Sequence, residues 1–423
     1  MAPTETTTVA VSGGGPAGIT LGLLLARAGV DVTVCEKHAD FLRDFRGDTV
    51  HPSTLEILDE LGLGAEMARL PQRRIDRLRV GTAEEPFVDV DLGDLPSPHP
   101  YLAMVPQWDF LGMLAEHARR YPTFRLRTET ESTGLLRDNG AVRGLRCTGP
   151  EGRHHIRAVL TVAADGRDSP LRSAAGLVPT ELGAPMDVLW LRLSRSADDP
   201  EGLAGGIGRG AMAAAIDRGD YWQIAYLIPK GGYAHMRARP VEHLHDGLRE
   251  ALPFLGDRVA EVGGWDEVAF LNVGLDRLSR WYRPGLLCLG DAAHTMTPVG
   301  GVGINLAVQD AVAAANLLAA PLRRAQEDPD RFTRTLNPEL LARVQRRRQW
   351  PTVGTQALQR AVQRQVISRA LSGAPDLPAF SPPVRALAGT RAWSRFIGRV
   401  LMLGLRPEHV ETPQYGTAAE PPR

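Results

Sequence analysis

"VAVSGGGPAGITLGLLLARAGVDVTVCEKH", residues 9–38, decides how the chain folds. A short apolar run, Val9 to Ser12, reads as a buried strand. It leads into G-x-G-x-x-G as Gly13, Gly15 and Gly18, and then into an apolar stretch of helical character ending near Ala28. Pro16 stands where the first turn of a helix tolerates proline, since an N–H there has no intrahelical acceptor. Gly29 stands where a C-terminal cap calls for a positive φ. A second strand, Val30 to Cys35, closes on Glu36 with Lys37 beside it.

The spacing carries a chemistry. Gly13 permits a tight turn, and Gly15 lets the backbone approach a pyrophosphate. Pro16, Ala17 and Gly18 open a helix whose positive end faces that anion, and Gly18 with Gly22 lets the helix lie close on the strand. Glu36 falls at the ~20-residue offset of a carboxylate that accepts hydrogen bonds from a ribose 2′-hydroxyl. A free 2′-hydroxyl points to FAD or NAD rather than NADP. The fingerprint does not separate those two, because they share the ADP half.

A second stretch repeats this order far along the chain. In "LLCLGDAAHTMTPVGGVGINLAVQDA", residues 286–311, an apolar strand ends in Gly290-Asp291. A loop with Pro298, Gly300 and Gly301 follows, and a helix starts near Gly303. Such a loop offers backbone N–H groups and the positive end of a helix dipole to something polar. A flavin ring suits it: the pyrimidine end gains negative charge on reduction, and a helix N-terminus favours that anion by about 1 kcal/mol. Asp291 is placed to accept hydrogen bonds from ribityl hydroxyls. The plainer alternative is a glycine-rich connection between a core strand and a core helix.

Composition sets the frame. The chain has 423 residues, 43% hydrophobic and 23% charged, enough for a large core and about two or three domains. Lys+Arg and Asp+Glu balance at 49 each, so no global field draws it to nucleic acid or anionic lipid, and a small-molecule partner is expected. Cys35, Cys147 and Cys288 are odd in number and widely spaced, which suits structural thiols in a reducing compartment. The first residues lack a basic n-region and no apolar run approaches ~18 residues, so neither a signal peptide nor a membrane span is expected and the chain reads as cytoplasmic. The eleven histidines are scattered without metal-ligand spacing. His294 is the tempting general base but reads as a hydrogen-bonded neighbour of the late motif, with His51 and His99 weaker still.

A third motif lies between the other two: D-G-x-x-S-x-x-R, as Asp165, Gly166, Ser169 and Arg172. With all three in this order over residues 9 to about 320, the chain resembles the single-component FAD-dependent monooxygenases typified by para-hydroxybenzoate hydroxylase. Ser12 and Ala163 are minor departures from that family's pattern. The resemblance implies an α/β fold: a Rossmann-like FAD-binding domain over 1–178 and 276–330, an inserted mainly antiparallel β-sheet substrate domain over 179–275, a C-terminal helical region over 331–410 and a flexible tail over 411–423. It also implies roles. Arg46 and Gln107 would meet the cofactor, Asp165 would lie near the pyrophosphate, and Gly290-Asp291 would hold the ribityl chain. Pro298 would flank the ring, with the amides of Gly301, Val302, Gly303 and Ile304 on its pyrimidine edge. The implied reaction has NADH or NADPH reduce FAD, after which O2 is activated as a C4a-hydroperoxyflavin and one oxygen passes to an aromatic or polyketide-like molecule.

"MDVLWLRLSR", 186–195, and "DYWQIAYLIPKGG", 220–232, read as strands of the inserted sheet. Alternation puts Tyr221, Gln223, Ala225 and Leu227 on one face and Trp222, Ile224, Tyr226 and Ile228 on the other. Trp190, Tyr221 and Gln223 are the candidate substrate contacts. Residues 340–371 are basic and helical, split by Pro351 into two helices with solvated faces, and "WSRFIGRVLML", 393–403, reads as a last apolar helix. Two other functions stay open: a FAD-dependent oxidoreductase or epoxidase that does not hydroxylate aromatics, and a non-catalytic nucleotide-binding module.

Overall fold

A computed structural model of the chain describes residues 2–42, 49–81, 86–208, 210–334, 336–372 and 391–415. Strand β1 (Thr4–Ser12) runs into helix α1 (Pro16–Arg27) and returns as β2 (Val32–Cys35), parallel to β1. Helix α2 (Gln107–Arg119) packs along α1 and delivers β3 (Phe124–Arg127), parallel to β2. An antiparallel excursion, β4 (Glu131–Asp138) and β5 (Ala141–Gly149), leads into the long β6 (Gly152–Ala163), which lies parallel to β1 on its other side. The helix lies close on the sheet because Gly18 and Gly22 carry no Cβ: one on Gly18 would strike the Gly13 carbonyl, and one on Gly22 would fall 2.9 Å from Val34.

The chain then leaves for a second sheet. Its strands are β7 (Met186–Ser194), β8 (Leu203–Ile207), β9 (Met212–Asp217), β10 (Tyr221–Pro229) and β11 (Ala269–Leu271), all antiparallel in the order β8-β9-β10-β7-β11. The alternation read in β10 is the one observed. Trp222, Ile224, Tyr226 and Ile228 join the apolar cluster under Leu244, Leu248 and Val259, while Ala225 and Leu227 face the other way. The chain re-enters the first sheet as β12 (Leu286–Cys288), parallel to β6, and continues into α3 (Gly303–Gln326).

Two expectations need correction. Helix α4 (Pro338–Val362) is continuous through Pro351. Pro351 deprives one carbonyl of a donor, but the face carrying Leu341, Val344, Arg348, Thr352, Gln356 and Gln359 is buried, and tertiary packing outweighs the local break. Of the tail expected over 411–423, residues 411–415 are tied to the fold, and 416–423 lie outside the described residues. Val410 donates to Glu60, Glu411 to Asn316 and Tyr415 to the Arg27 carbonyl, with Arg323 stacked 3.8 Å over the Tyr415 ring. Val299–Gln326 is long and apolar enough by composition to cross a membrane, but 83% of its most apolar window is buried against the rest of the fold, so α3 serves as a core helix.

Candidate active site

Four parallel strands end in one row. Cys35 pairs with Ser12, Ser12 with Ala163, and Ala163 with Cys288, so the residues that follow (Glu36, Gly13, Ala164-Asp165 and Leu289-Gly290-Asp291) emerge along the same edge of the sheet. Open α/β sheets bind ligands at such carboxyl-terminal edges. The three sequence motifs, hundreds of residues apart, thereby become one surface.

Contacts bind them together. Gly13 has φ +101°, and a Cβ there would lie 2.2 Å from the Ala164 carbonyl oxygen and 3.0 Å from Asp165. Glu36 is buried at the end of β2, its carboxylate accepting from the Gly14 amide at 2.9 Å and from the His38 amide at 3.1 Å. Asp165 accepts from Ser169 Oγ at 2.5 Å and from the Leu171 amide at 3.3 Å. Burial pushes its carboxyl above the usual range, and those two donors pull it part of the way back. Ser169 also accepts from the Arg172 amide, and the Arg172 guanidinium donates to the Arg167 and Ala292 carbonyls. The middle motif is thus a self-locked turn that reaches the late one.

Two helices aim their N-termini at this edge. No side chain among the described residues caps α1 or α3, neither has an acidic residue in its first turn, and a Cβ on Gly15 or Gly303 would meet no atom within 4 Å. Uncapped amides and the positive dipole end therefore face outward at both. This fits a group with a pyrophosphate at one end and an electron-rich ring edge at the other: α1 with Gly13, Gly15, Pro16, Ala17 and Gly18 for the first, α3 with Gly301, Val302, Gly303 and Ile304 for the second. Asp291 follows Gly290, which lies between Ala17 of α1 and Ala307 of α3, and is partly exposed. Pro298 is exposed on the loop and Lys37 is exposed after β2. Gln107 opens α2, and Arg46 lies outside the described residues.

Several residues of this region escaped the sequence reading. Asp310, on α3 and fully buried, accepts from His294 Nε2 at 2.6 Å, Arg348 Nε at 3.0 Å and the Gly290 amide at 3.3 Å. Burial alone would raise its carboxyl, but His294 and Arg348 together hold it below the usual range. His294 is therefore the expected hydrogen-bonded neighbour. Arg348 also donates to Glu408, so one of the supposedly solvated arginines is at the centre of a buried network, while Arg343, Arg346, Arg364 and Arg369 are exposed. A lone carboxylate in the apolar run of α3 was the available signal. His51 is also buried, between the Gly301 and Leu401 carbonyls at 3.1 Å each.

The second sheet turns one face to the loop before α3. Met186, Val188, Trp190, Ala225 and Leu227 share an apolar cluster with Val299 and Ile367. Trp190 is thereby brought to the site. Gln223 and Tyr221 continue the same face away from that cluster, Gln223 accepting from Arg218 at 2.8 Å and Tyr221 lying under Arg192 at 5.0 Å.

Residues 6–334 match a family described as "FAD binding domain". The chain is 36% identical over 322 residues to a 6-methylpretetramide 4-monooxygenase of Streptomyces rimosus, covering 75% of this chain and 76% of that protein. It is 30% identical over 326 residues to a 12-dehydrotetracycline 5-monooxygenase/anhydrotetracycline 6-monooxygenase of the same species, covering 72% of this chain and 61% of that longer protein. Its fold is that of a p-nitrophenol 4-monooxygenase from Pseudomonas putida, with TM-score 0.75 at 20% identity over 95% of this chain and 100% of that one.

Proposed function

This chain belongs to the FAD-binding family of flavin-dependent monooxygenases, and from that premise we propose that it hydroxylates a fused-ring aromatic or polyketide-like small molecule with NAD(P)H and O2 as co-substrates. The observation that carries the reading is the row of strand ends Cys35, Ser12, Ala163 and Cys288, which gathers three distant motifs at two uncapped helix N-termini.

Bound FAD supplies hydride acceptance and oxygen activation, chemistry that side chains lack. The chain's own residues bind, orient and shield. The α1 amides with Gly13, Gly15 and Gly18 would hold the pyrophosphate, Glu36 the adenosine ribose, and Asp165 and Asp291 the middle of the cofactor. Of the amides from Gly301 to Ile304, that of Gly301 is turned to the Pro298 carbonyl, and the others would favour negative charge on the pyrimidine edge by about 1 kcal/mol. Met186, Val188, Trp190, Ala225 and Leu227 would keep water from the reacting face, where its entry diverts oxygen into hydrogen peroxide. The Streptomyces relatives are named for 6-methylpretetramide, 12-dehydrotetracycline and anhydrotetracycline, and the apolar sheet face with its small residues supports a flat substrate of that kind.

The test is direct. Purified protein is expected to be yellow with about one FAD per chain, and a suitable polycyclic phenol should accelerate NAD(P)H consumption with one atom of labelled O2 appearing in the product. A yellow protein that consumes NAD(P)H without transferring label would leave an oxidoreductase, and a colourless one that takes up no FAD would overturn the reading.

A further inference from the structure

Four buried glutamines lie along α4 and the π-turn that continues it: Gln345, Gln356, Gln359 and Gln363. Three of them grip one segment, Thr295–Val299, which is the approach to the glycine loop before α3. Gln356 donates to the Asp276 carbonyl at 2.7 Å and to the Thr295 carbonyl at 3.1 Å. Gln363 donates to Thr297 Oγ1 at 2.8 Å. Gln359 does most. Its carboxamide oxygen accepts from the Thr297 amide at 3.2 Å, and its nitrogen donates to the Thr297 carbonyl at 3.0 Å and the Val299 carbonyl at 2.7 Å.

These bonds have a directional consequence. Pro298 has no N–H to hold it, so the chain on either side is fixed through Thr297 and Val299 instead. The Gln359 side chain pairs with Thr297 in both directions, as a neighbouring strand would. In a trans peptide the C=O and the following N–H point opposite ways, and no cis peptide occurs among the described residues. With the Val299 carbonyl drawn to Gln359, the Gly300 N–H is turned away from α4. In the same manner His51 Nε2 meets the Gly301 carbonyl and turns the Val302 N–H away from itself. The Gly300 and Val302 amides are thus aimed by side chains behind the loop, while the Gly301 N–H closes a turn onto the Pro298 carbonyl at 3.1 Å.

We propose that Gln359, supported by Gln363, is a positioning residue that aims the Gly300 amide, beside the Val302 amide set by His51, at the pyrimidine edge of the flavin and so sets the ring's reduction potential. The proposal rests on the reading that this loop faces the flavin. Gln345 is the built-in comparison: it is another buried glutamine of the same helix, but it bonds to the Trp281 amide and the Ser279 carbonyl, away from the loop.

The experiment compares wild type with Gln359→Leu, Gln363→Ala and Gln345→Leu. Two quantities are read: the midpoint potential of bound FAD by spectroelectrochemistry, and amide hydrogen exchange of residues 299–304 in the FAD-free protein. Gln359→Leu is expected to lower the potential, because donors that favour the reduced anion lose their aim, and to speed loop exchange at least tenfold. Gln363→Ala should shift both in the same direction by less, and it answers the question alone should Gln359→Leu fail to fold. Gln345→Leu should lower the melting temperature while leaving potential and loop exchange at wild-type values. If the Gln359 and Gln363 variants keep the wild-type potential and loop exchange, or match Gln345→Leu, the glutamines only pack and the proposal falls. Wild-type protein that binds no FAD would instead remove the functional reading beneath it.

Discussion

Gly290 lies against Ala17: a Cβ built on Gly290 would stand 3.2 Å from the Cβ of Ala17 and 3.4 Å from that of Ala307. The late motif is thus pressed directly onto the first helix of the early one. Its φ of +57° adds a second demand, since a side chain in the left-handed region costs roughly 1–2 kcal/mol. Gly290→Val should therefore lower the melting temperature and, because Asp291 is next along the chain, reduce the FAD-to-protein absorbance ratio several-fold. A Val variant with full flavin content and unchanged melting would show that this contact does not set the site.

The buried Arg348 should be among the costliest single positions. It is 1% exposed and serves both Asp310 and Glu408, which are equally buried. Arg348→Met takes one of two cationic partners from each carboxylate, leaving Asp310 to His294 and Glu408 to Arg347, so the loss should lie near the low end for a broken buried pair, about 3 kcal/mol. Adding Asp310→Asn should recover part of that loss, since the buried negative charge that Arg348 had faced goes with it. Chemical denaturation of the two single variants and the double gives the coupling, and strict additivity would argue that the ion pair contributes nothing of its own.

What was legible in the sequence follows from how local each signal is. The glycine fingerprint, Pro16, Gly29 and the alternation from Tyr221 to Ile228 are written within a few residues, and each lies where it was read. Arg348 was not legible, because its partner Asp310 is 38 residues away and neighbouring arginines of identical chemistry are exposed. The glutamines of α4 were missed for a related reason: an amide that satisfies backbone carbonyls looks, in sequence, like an amide that faces water. Pro351 misled because a local rule about proline was outweighed by the burial of a whole helix face.

His51 gives the fold a pH dependence of definite sign. Burial is the main cause that brings its ring from 6.5 down to about 4, opposed by the Gly301 and Leu401 carbonyls. In the unfolded chain the ring binds a proton below about 6.5. Between pH 6.5 and 4 the unfolded state therefore holds the extra proton, and stability falls as pH falls through that window, by roughly 3 kcal/mol in all. His51→Gln should flatten this part of the stability profile. An unchanged slope in urea titrations from pH 7 to 4 would assign the pH dependence to other groups.

The face of the second sheet that meets Val299 has a shape as well as a polarity. Gly205 stands opposite Ala214, Ala214 opposite Ala225, and Ala225 opposite Trp190, so three small residues in a row across β8, β9 and β10 end against an indole on β7. Small side chains leave room over the strands for a flat ring system, and Trp190 bounds it on one side. Ala225→Phe would fill that room from the middle of the row. It should cut substrate-stimulated NAD(P)H consumption at least tenfold with FAD content near wild type, while crowding a buried position costs about 1–3 kcal/mol of stability. Ile224, the adjacent residue, points into the opposite, fully packed face. Ile224→Val should therefore lower stability by about 0.5–1.5 kcal/mol and leave the substrate response intact. The pair separates shape from general disturbance: if Ala225→Phe responds to substrate as wild type does, the substrate does not lie on this row, and the wall must be sought elsewhere on the sheet.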